Sequence, residues 1–216
     1  MKLLPVALKV EGARVLIVGG GAVAARKAGV LRECGARVHV ISPNLCAELE
    51  AIKTELEYSE RHFQSDDCEN HQLVFACTNS SEVNAQIADE AESKNIWVQI
   101  ADDAGRSTLH GAAAIRRDEI CIGITTGGAS PALAKHLKAE IENCVGDEYS
   151  QLLQLMSERR QILKSQIHTQ SERAQIWREV LDGGVLRELR EGRTENAANL
   201  IDELFDSKLK DQKSTF

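Results

Sequence analysis

Aromatic residues are scarce in this sequence, and the 26 lysines and arginines are outnumbered by 33 aspartates and glutamates. Phe, Trp and Tyr together make up 4% of the chain, so we expect no platform of stacked aromatic side chains for nucleic-acid bases. The formal net charge is −7, which disfavours a nucleic-acid or membrane-surface partner for the whole protein. Any anionic ligand must therefore be bound by local features of the fold, such as the N–H groups at a helix end.

Metal-binding and membrane-spanning patterns are also missing. The six cysteines form no C-x-x-C pair and no zinc-ligand spacing, so we expect reduced, mostly buried thiols and no metal site. No apolar run is long enough to cross a membrane, and the stretch after the first lysine is too short and proline-broken for a signal peptide. The sequence predicts a cytoplasmic protein.

A glycine-rich segment near the amino terminus carries the first sign of function. It follows the apolar run 14–18 and has the form G-x-G-x-x-A, with Gly19, Gly21 and Ala24 at the fixed positions. Gly19 permits a tight turn, Gly21 lets the backbone approach a pyrophosphate, and Ala24 allows close packing of helix on strand. The segment predicts a dinucleotide site, and the alternative is a purely structural glycine turn.

The order of strands and helices predicts the fold class. Apolar strand-like runs alternate with helical patterns, which is typical of a parallel, doubly wound sheet. The predicted strands are 14–18, 37–41, 73–77 and 96–101, and the helical patterns between them include 22–33 and 83–93. The sequence therefore predicts an α/β protein whose first domain, residues 1–113, is an NAD-binding Rossmann domain.

The rest of the chain divides into two smaller predicted parts. In the run 119–125, Ile120, Ile122 and Ile124 share one face, which predicts a half-buried strand, and a helix is expected to start at Ser130-Pro131. Beyond residue 147 the strand signals vanish, a capping box starts at Thr169, and Gly183-Gly184 ends a helix. We predict an α+β module at 114–146 and an all-helical domain at 147–216.

Polar residues follow several predicted strands, at the edge where open α/β sheets bind ligands. Ser42-Pro43-Asn44 ends the second strand without the acid usual for NAD or an arginine for NADP. A ribose contact by Ser42 or Asn44 and a plain turn remain equal alternatives there. After the run 73–77, Thr78 and Asn79 are expected to contact the cofactor.

Two adjacent acids, Asp102 and Asp103, follow the next strand, and His110 comes soon after. Because neighbouring side chains on an extended backbone point to opposite sides, one acid is expected in the cleft. A carboxylate in a partly desolvated cleft would have its pKa raised towards the range useful for a base. The alternatives are solvated loop acids and a histidine that only packs.

These residues, together with a second glycine-rich segment, resemble the precorrin-2 dehydrogenase family, which includes the N-terminal part of siroheme synthases. The resemblance spans about residues 1–145. It rests on Leu4-Pro5, on 18–28, on Ala76-Cys-Thr-Asn79, on Asp102-Asp103 and on Thr125-Thr-Gly-Gly-Ala-Ser-Pro-Ala-Leu-Ala134.

The resemblance implies NAD-dependent oxidation of precorrin-2 to sirohydrochlorin for siroheme or cobalamin biosynthesis. In some members insertion of Fe²⁺ follows, which makes Fe²⁺ or another divalent metal a further candidate partner. It also implies a homodimer built through the module 114–146. The catalytic residue that the resemblance implies is Asp102. His110 is a second candidate proton carrier because of its position after the acid pair, and the resemblance does not imply it. The implied contacts are Ala22, Val23, Pro43 and Asn44 for NAD; Thr126, Gly127, Gly128 and Ser130 for the substrate cleft; and Arg106 and Lys135 for the carboxylates of the tetrapyrrole.

The chain departs from the family pattern after the acid pair, where Ala104 and the segment 109–112 stand in place of a proline and an aromatic residue. Two other functions stay open at this point. One is a nucleotide-sensing regulatory module, which has a Rossmann core and needs no catalytic acid. The other is a dehydrogenase for a different small molecule.

Overall fold

A computed structural model describes residues 2–213 of the chain and the side chains of residues 2–209. The structure consists of two compact units. The first contains the chain up to Ala112 together with Thr125–Pro131, and the second contains Ala113–Ile124 and the chain from Ala132 onward. No helix within the described part is long and apolar enough to cross a membrane. The predicted domain boundaries remain a prediction.

The first unit is built on a five-stranded parallel sheet in the order β3-β2-β1-β4-β5. Four strands coincide with the predicted apolar runs. The third was missed because its three residues form no apolar run. The strands are β1 (Arg14–Val18), β2 (Arg37–Ile41), β3 (Glu57–Ser59), β4 (Leu73–Ala76) and β5 (Trp97–Ile100).

Helices cover both faces of this sheet. They are α1 (Ala22–Glu33), α2 (Ala47–Glu50), a 3₁₀ turn at Lys53–Glu55, and α3 (Ser81–Ser93). Ala24 and Ala28 of α1 are fully buried against one face, and Ile87 and Ala91 of α3 are fully buried in the cluster on the other. Burial on both sides explains why the central strands read as continuous apolar runs.

The outer edge of β5 is closed by the chain that follows it. The hydroxyl of Ser107 accepts a hydrogen bond from the Ile100 N–H at 2.9 Å, and that of Thr108 accepts one from the Val98 N–H at 2.9 Å. The N–H groups of Thr108 and Leu109 in turn donate to the Val98 carbonyl. The backbone of the edge strand is thereby satisfied without a sixth strand.

The second unit combines a two-stranded antiparallel sheet with helices. The sheet consists of β6 (Ala113–Arg117) and β7 (Ile120–Ile124), and the helices are α4 (Pro131–Cys144), α5 (Glu148–Gln166), α6 (Gln170–Asp182), α7 (Val185–Arg190) and α8 (Thr194–Lys213). In β7 the isoleucines are half-buried while Cys121 and Gly123 are exposed, which confirms the predicted alternation. The partner strand β6 was not predicted.

The helical part has its own core, centred on the buried residues Leu152, Leu163, Ile176, Val180 and Ile201. The N-cap half of the predicted capping box is present, because the Thr169 hydroxyl accepts a hydrogen bond from the Glu172 N–H at 3.3 Å. The Glu172 carboxylate accepts from the Thr169 hydroxyl at 2.7 Å. Helix α6 ends before Gly184, whose φ of 84° lies in the left-handed region that glycine tolerates. The α/β class with a helical C-terminal part is confirmed.

Candidate functional site

The turn between β1 and α1 depends on two glycines that pack against neighbouring backbone. Gly19 has a φ of 121°, and a β-carbon there would overlap the carbonyl of Cys77. A β-carbon on Gly20 would overlap the carbonyl oxygen of Asn44, and the Gly20 carbonyl accepts from the Cys46 N–H at 2.7 Å. No role was predicted for Gly20 from the sequence. Its signal was a glycine at a position that the motif leaves variable.

Gly21 is open where Gly19 and Gly20 are crowded. A β-carbon on Gly21 would find no atom within 4 Å, and Gly21 precedes the first turn of α1 without a side-chain cap from any described residue. The first N–H groups of a helix have no partner within the helix and favour negative charge. Ala22 and Val23 are exposed beside this space. The arrangement fits a pyrophosphate.

The turn after β2 separates its two ribose candidates. Ser42 is 6% exposed, and its hydroxyl donates to the Asn44 carbonyl at 2.7 Å, which secures the turn. The Tyr58 hydroxyl donates to the Ser42 carbonyl at 2.9 Å. Pro43 and Asn44 are exposed. Asn44 is therefore the accessible candidate for a ribose, and the contacts assigned to all three residues stay predictions.

Asp102 is bound by two side chains of α3. The Ser81 hydroxyl donates to Asp102 Oδ2 at 2.7 Å, and Asn84 Nδ2 donates to Asp102 Oδ1 at 2.8 Å. Asn84 also accepts from the Thr78 N–H at 3.2 Å and from the Thr78 hydroxyl at 2.8 Å. Ser80 caps the helix, its hydroxyl accepting from the Val83 N–H at 3.3 Å. The end of α3 thus collects residues from three segments of the chain.

The expectation of a raised pKa for Asp102 was wrong. Hydrogen bonds from Ser81 and then Asn84 hold the pKa of Asp102 below its usual range. The carboxylate is exposed to water, so desolvation is too weak to reverse their effect. The adjacent Asp103 turns elsewhere, its Oδ1 accepting from the N–H groups of Gly105 and Arg106. The two acids therefore have different environments, as the alternation rule indicates.

Sequence reasoning missed Asn84 and Ser81. Asn84 is 1% exposed and shares the buried face of α3 with Ile87, Ala88 and Ala91. A polar residue in the apolar stripe of a helix must satisfy its amide inside the protein. That misplaced polarity was the available signal.

A half-buried lysine lies on the α1 side of the sheet, and it too was missed. Lys27 Nζ donates to Gln99 Oε1 at 2.6 Å and lies 5.2 Å from the centre of the Phe75 ring. Burial lowers the pKa of Lys27, and burial raises the pKa of the nearby Cys77 thiol to about 11. Gly111 packs on this pair, since a β-carbon there would come within 2.8 Å of Lys27 Nζ.

His110 precedes Gly111 and is half-buried. Its proposed role in proton transfer stays a prediction. Asn79, the other polar residue after β4 besides Thr78, is exposed at the carboxyl edge.

The second glycine-rich turn belongs to the first unit. The Thr126 hydroxyl donates to the Ser130 carbonyl at 3.0 Å and accepts from the Ser130 N–H at 3.1 Å. Gly127 and Gly128 have φ values of 63° and 83°. A β-carbon on Gly128 would lie 3.6 Å from that of Ala104, so this turn borders the segment that follows Asp102. Its substrate contacts stay predictions.

The basic residues expected to bind carboxylates are both exposed. Arg106 forms an ion pair with Asp89 of α3 that competes with any substrate carboxylate, and Lys135 is carried by α4. Within residues 2–209, no group of three or more His, Cys, Asp or Glu side chains is arranged to hold a metal ion.

Three family models match consecutive parts of the chain. Residues 6–113 match the putative NAD(P)-binding family. Residues 113–143 match the sirohaem biosynthesis protein central region, and residues 148–205 match the sirohaem synthase dimerisation region. The region described as dimerising therefore lies after the module 114–146 in which sequence analysis placed the dimer contact.

Several curated relatives are named siroheme synthase. The siroheme synthase of Chromobacterium violaceum is 34% identical over 185 residues, covering 85% of this chain and 39% of that protein. Those of Methylococcus capsulatus and Thioalkalivibrio sulfidiphilus are 32% and 31% identical, covering 99% and 97% of this chain but 45% and 43% of their own length. The chain thus spans less than half the length of these relatives.

A solved structure has the same fold. The protein named "SirC, precorrin-2 dehydrogenase" superimposes with a TM-score of 0.74 and 23% sequence identity, over 93% of this chain and 100% of that one. With its dinucleotide turn, its central region and its helical region matched in that order, the chain belongs to the NAD(P)-binding family of proteins that share these regions with the siroheme synthases.

Proposed function

We propose that this protein catalyses the NAD-dependent dehydrogenation of precorrin-2 to sirohydrochlorin in siroheme biosynthesis. The observation that carries the proposal is the fixed Asp102 carboxylate, at the same sheet edge as the uncapped start of α1. A nucleotide-sensing module needs only the second of these features. The motif resemblance and the siroheme synthase relatives supply the substrate class.

The residues around Gly21 fit a dinucleotide. The space next to Gly21 is open, and the start of α1 offers N–H groups to a pyrophosphate. Asn44 is available for a ribose hydroxyl, and the turn 42–44 contains no arginine for the phosphate of NADP. We therefore propose NAD as the preferred cofactor.

NAD, when bound, supplies the acceptor for the hydride that leaves the macrocycle. The remaining proton must go to a base, and Asp102 is ionised and accessible at neutral pH for that purpose. Its low pKa makes it a weak acceptor that passes the proton on to water rather than keeping it. His110 is the second candidate for this transfer. Most of the rate gain comes from orientation of the reactants.

The direct test is incubation of the purified protein with precorrin-2 and NAD while the absorption spectrum is followed. We expect conversion to sirohydrochlorin with one NADH formed per product, and slower conversion with NADP. Reactions without cofactor serve as the control. NAD binding without conversion would instead favour the nucleotide-sensing alternative, and faster turnover with NADP would contradict the cofactor preference.

We also propose a homodimer, which the resemblance implies and which the match to a dimerisation region supports. Two exposed apolar side chains separate the candidate interfaces. Leu137 on α4 is 38% exposed within the predicted module, and Ile162 on α5 is 53% exposed within the matched region 148–205. Either surface would bury apolar area when it is covered by a second copy.

Light scattering on the wild type should give about twice the chain mass. Replacement of Leu137 by Glu should produce a monomer if the interface lies in 114–146, whereas Ile162→Glu should do so if it lies in 148–205. A monomeric wild type that retains full activity would contradict the dimer.

We propose a cytoplasmic location as well, supported by six cysteines that are all free thiols, which suits a reducing compartment. Iron insertion stays a prediction of the resemblance.

A further inference from the structure

Asn84 uses the full hydrogen-bonding capacity of its amide. Its Oδ1 accepts from the Thr78 N–H and the Thr78 hydroxyl, and its Nδ2 donates to the Thr78 carbonyl at 3.2 Å and to Asp102 Oδ1 at 2.8 Å. A primary amide offers two donors and two acceptor sites. Because the side chain is 1% exposed, water cannot replace these partners. The amide cannot rotate without breaking all four bonds.

The partner Thr78 belongs to the nucleotide-binding edge. It follows Cys77, whose carbonyl packs against Gly19, and the Thr78 nitrogen lies 3.1 Å from the position of a β-carbon on Gly19. Strands β1 and β4 are neighbours in the sheet, on either side of the point where the strand order reverses. Ligands of open α/β sheets bind at this point. One end of the Asn84 amide therefore holds a loop that borders the cofactor turn.

The other end of the amide holds Asp102. Ser81 and Asn84 both donate to this carboxylate, but their surroundings differ. Ser81 is exposed, so its hydroxyl can exchange Asp102 for water, whereas Asn84 is buried and rigid. The charged neighbours in sequence are bound elsewhere, Asp103 to the Gly105 N–H and the Arg106 guanidinium to Asp89.

We propose that Asn84 is a positioning residue that fixes the orientation of Asp102 and couples it to the Thr78 loop, so that the cofactor turn and the acid respond to each other. Its consequence for turnover rests on the proposed function, but the coupling is a property of the protein alone. Coupling of this kind is reciprocal, because an amide with four fixed partners transmits a displacement of either end to the other.

A merely structural Asn84 would stabilise α3 and nothing more. Its loss would then lower the melting temperature without a specific effect on Asp102 or on NAD. A positioning Asn84 makes a different prediction, since removal of bonds at Thr78 should alter the titration of a carboxylate that Thr78 does not touch. Three variants with defined losses separate the two cases.

The first readout is the titration midpoint of Asp102, followed by carboxyl ¹³C NMR and assigned by comparison with Asp102→Asn. The second is the dissociation constant for NAD, measured by calorimetry. Asn84→Leu should raise the midpoint by about half a pH unit or more and weaken NAD binding about tenfold, the scale of one or two lost hydrogen bonds. Ser81→Ala is the matched control, because it removes the other bond to Asp102 without touching Thr78. It should raise the midpoint and leave NAD affinity unchanged.

Thr78→Val covers the case in which Asn84→Leu fails to fold. It deletes the hydroxyl bond to Asn84, together with the bonds of the same hydroxyl to the Ser80 carbonyl and the Ser80 N–H. The Thr78 hydroxyl does not touch Asp102, so a shift of the Asp102 midpoint should still be seen and must pass through Asn84 or the start of α3. An unchanged midpoint in Thr78→Val, or identical effects of the Asn84 and Ser81 variants on NAD affinity, would overturn the proposal. If the wild type fails to convert precorrin-2, the proposed function falls, yet the titration arm decides the coupling because it needs neither substrate nor cofactor.

Discussion

Two helices, α1 and α3, begin at the same carboxyl edge of the sheet, and their first turns differ. Helix α1 follows Gly21 with open space and no side-chain cap among the described residues. Helix α3 follows Ser80, which caps it, and its first turns bind Asp102 through Ser81 and Asn84. The fold supplies two equivalent helix ends that favour negative charge. The start of α1, after Gly21, is left open for a ligand, and we call it the open end. At the start of α3, Ser81 and Asn84 bind the protein's own carboxylate, Asp102, and we call it the filled end.

The largest effect is expected where the open end depends on close backbone packing. Gly20→Ala would drive a methyl group into the Asn44 carbonyl and should cost about 3 kcal/mol of unfolding free energy, with loss of nucleotide binding. Gly29→Ala is the matched control on α1, where a β-carbon meets nothing within 4 Å, and should stabilise by about 0.5 to 1 kcal/mol. Urea denaturation measures both. Equal stability of the two variants would contradict the packing argument.

A second substitution places a carboxylate at the start of α1, as α3 already has one in Asp102. Gly21→Asp places a carboxylate at the open helix start, where it should cap α1 and exclude the pyrophosphate. We expect a folded protein with no measurable binding of NAD or NADP by calorimetry. Gly21→Asn adds a side chain without the charge and should weaken binding less. If Gly21→Asp binds NAD normally, the nucleotide lies elsewhere.

The third prediction concerns removal of the negative charge of Asp102 from the filled end. Asp102→Asn keeps the shape, so NAD affinity should change little while dehydrogenation slows by about 10²-fold or more, the scale of a lost acid–base group. Steady-state kinetics measures the effect. Asp103→Asn should be mild in comparison. Near-normal turnover of the first variant would exclude Asp102 as the base, and His110→Ala would then test the other candidate.

A fourth prediction concerns the side-chain cap of α3, which has no counterpart at the start of α1. Ser80→Ala removes the hydroxyl that accepts from the Val83 N–H and should lower the unfolding free energy by about 1 kcal/mol. Thermal unfolding measures it, and exposed Ser65→Ala provides the control. A loss no greater than that of the control would mean that the cap contributes nothing to stability.

The smallest effect is expected in the dependence of folding stability on pH at acid pH. The folded state holds the pKa of Asp102 below its ordinary value of 3.8, so the unfolded chain binds the proton more readily. The stabilisation is present above pH 3.8 and is lost as the pH falls through the folded-state pKa. The stability difference between wild type and Asp102→Asn should therefore shrink from pH 6 to pH 3. A constant difference would contradict the assignment.

The sequence predicted α1 from its helical pattern and the four longer strands from their apolar runs, because both signals are local in the chain. It also predicted the open end, since Gly19 and Gly21 stand in a fixed motif. The filled end could not be predicted from the sequence, because Asp102, Asn84 and Thr78 meet only when β4, β5 and α3 pack together. The predicted direction of the Asp102 pKa shift was wrong for the same reason, since the shift depends on hydrogen-bond donors from another element.

The hydroxyls of Ser107 and Thr108, which satisfy the edge of β5, have a consequence for assembly. A bare edge strand is a template on which further strands can add, and such addition leads to domain swapping or fibrils. Because both outward N–H groups of β5 are already bound, the sheet cannot lengthen at that side. A second copy of the chain is therefore not expected to add a strand at this edge, and the sheet ends there at β5.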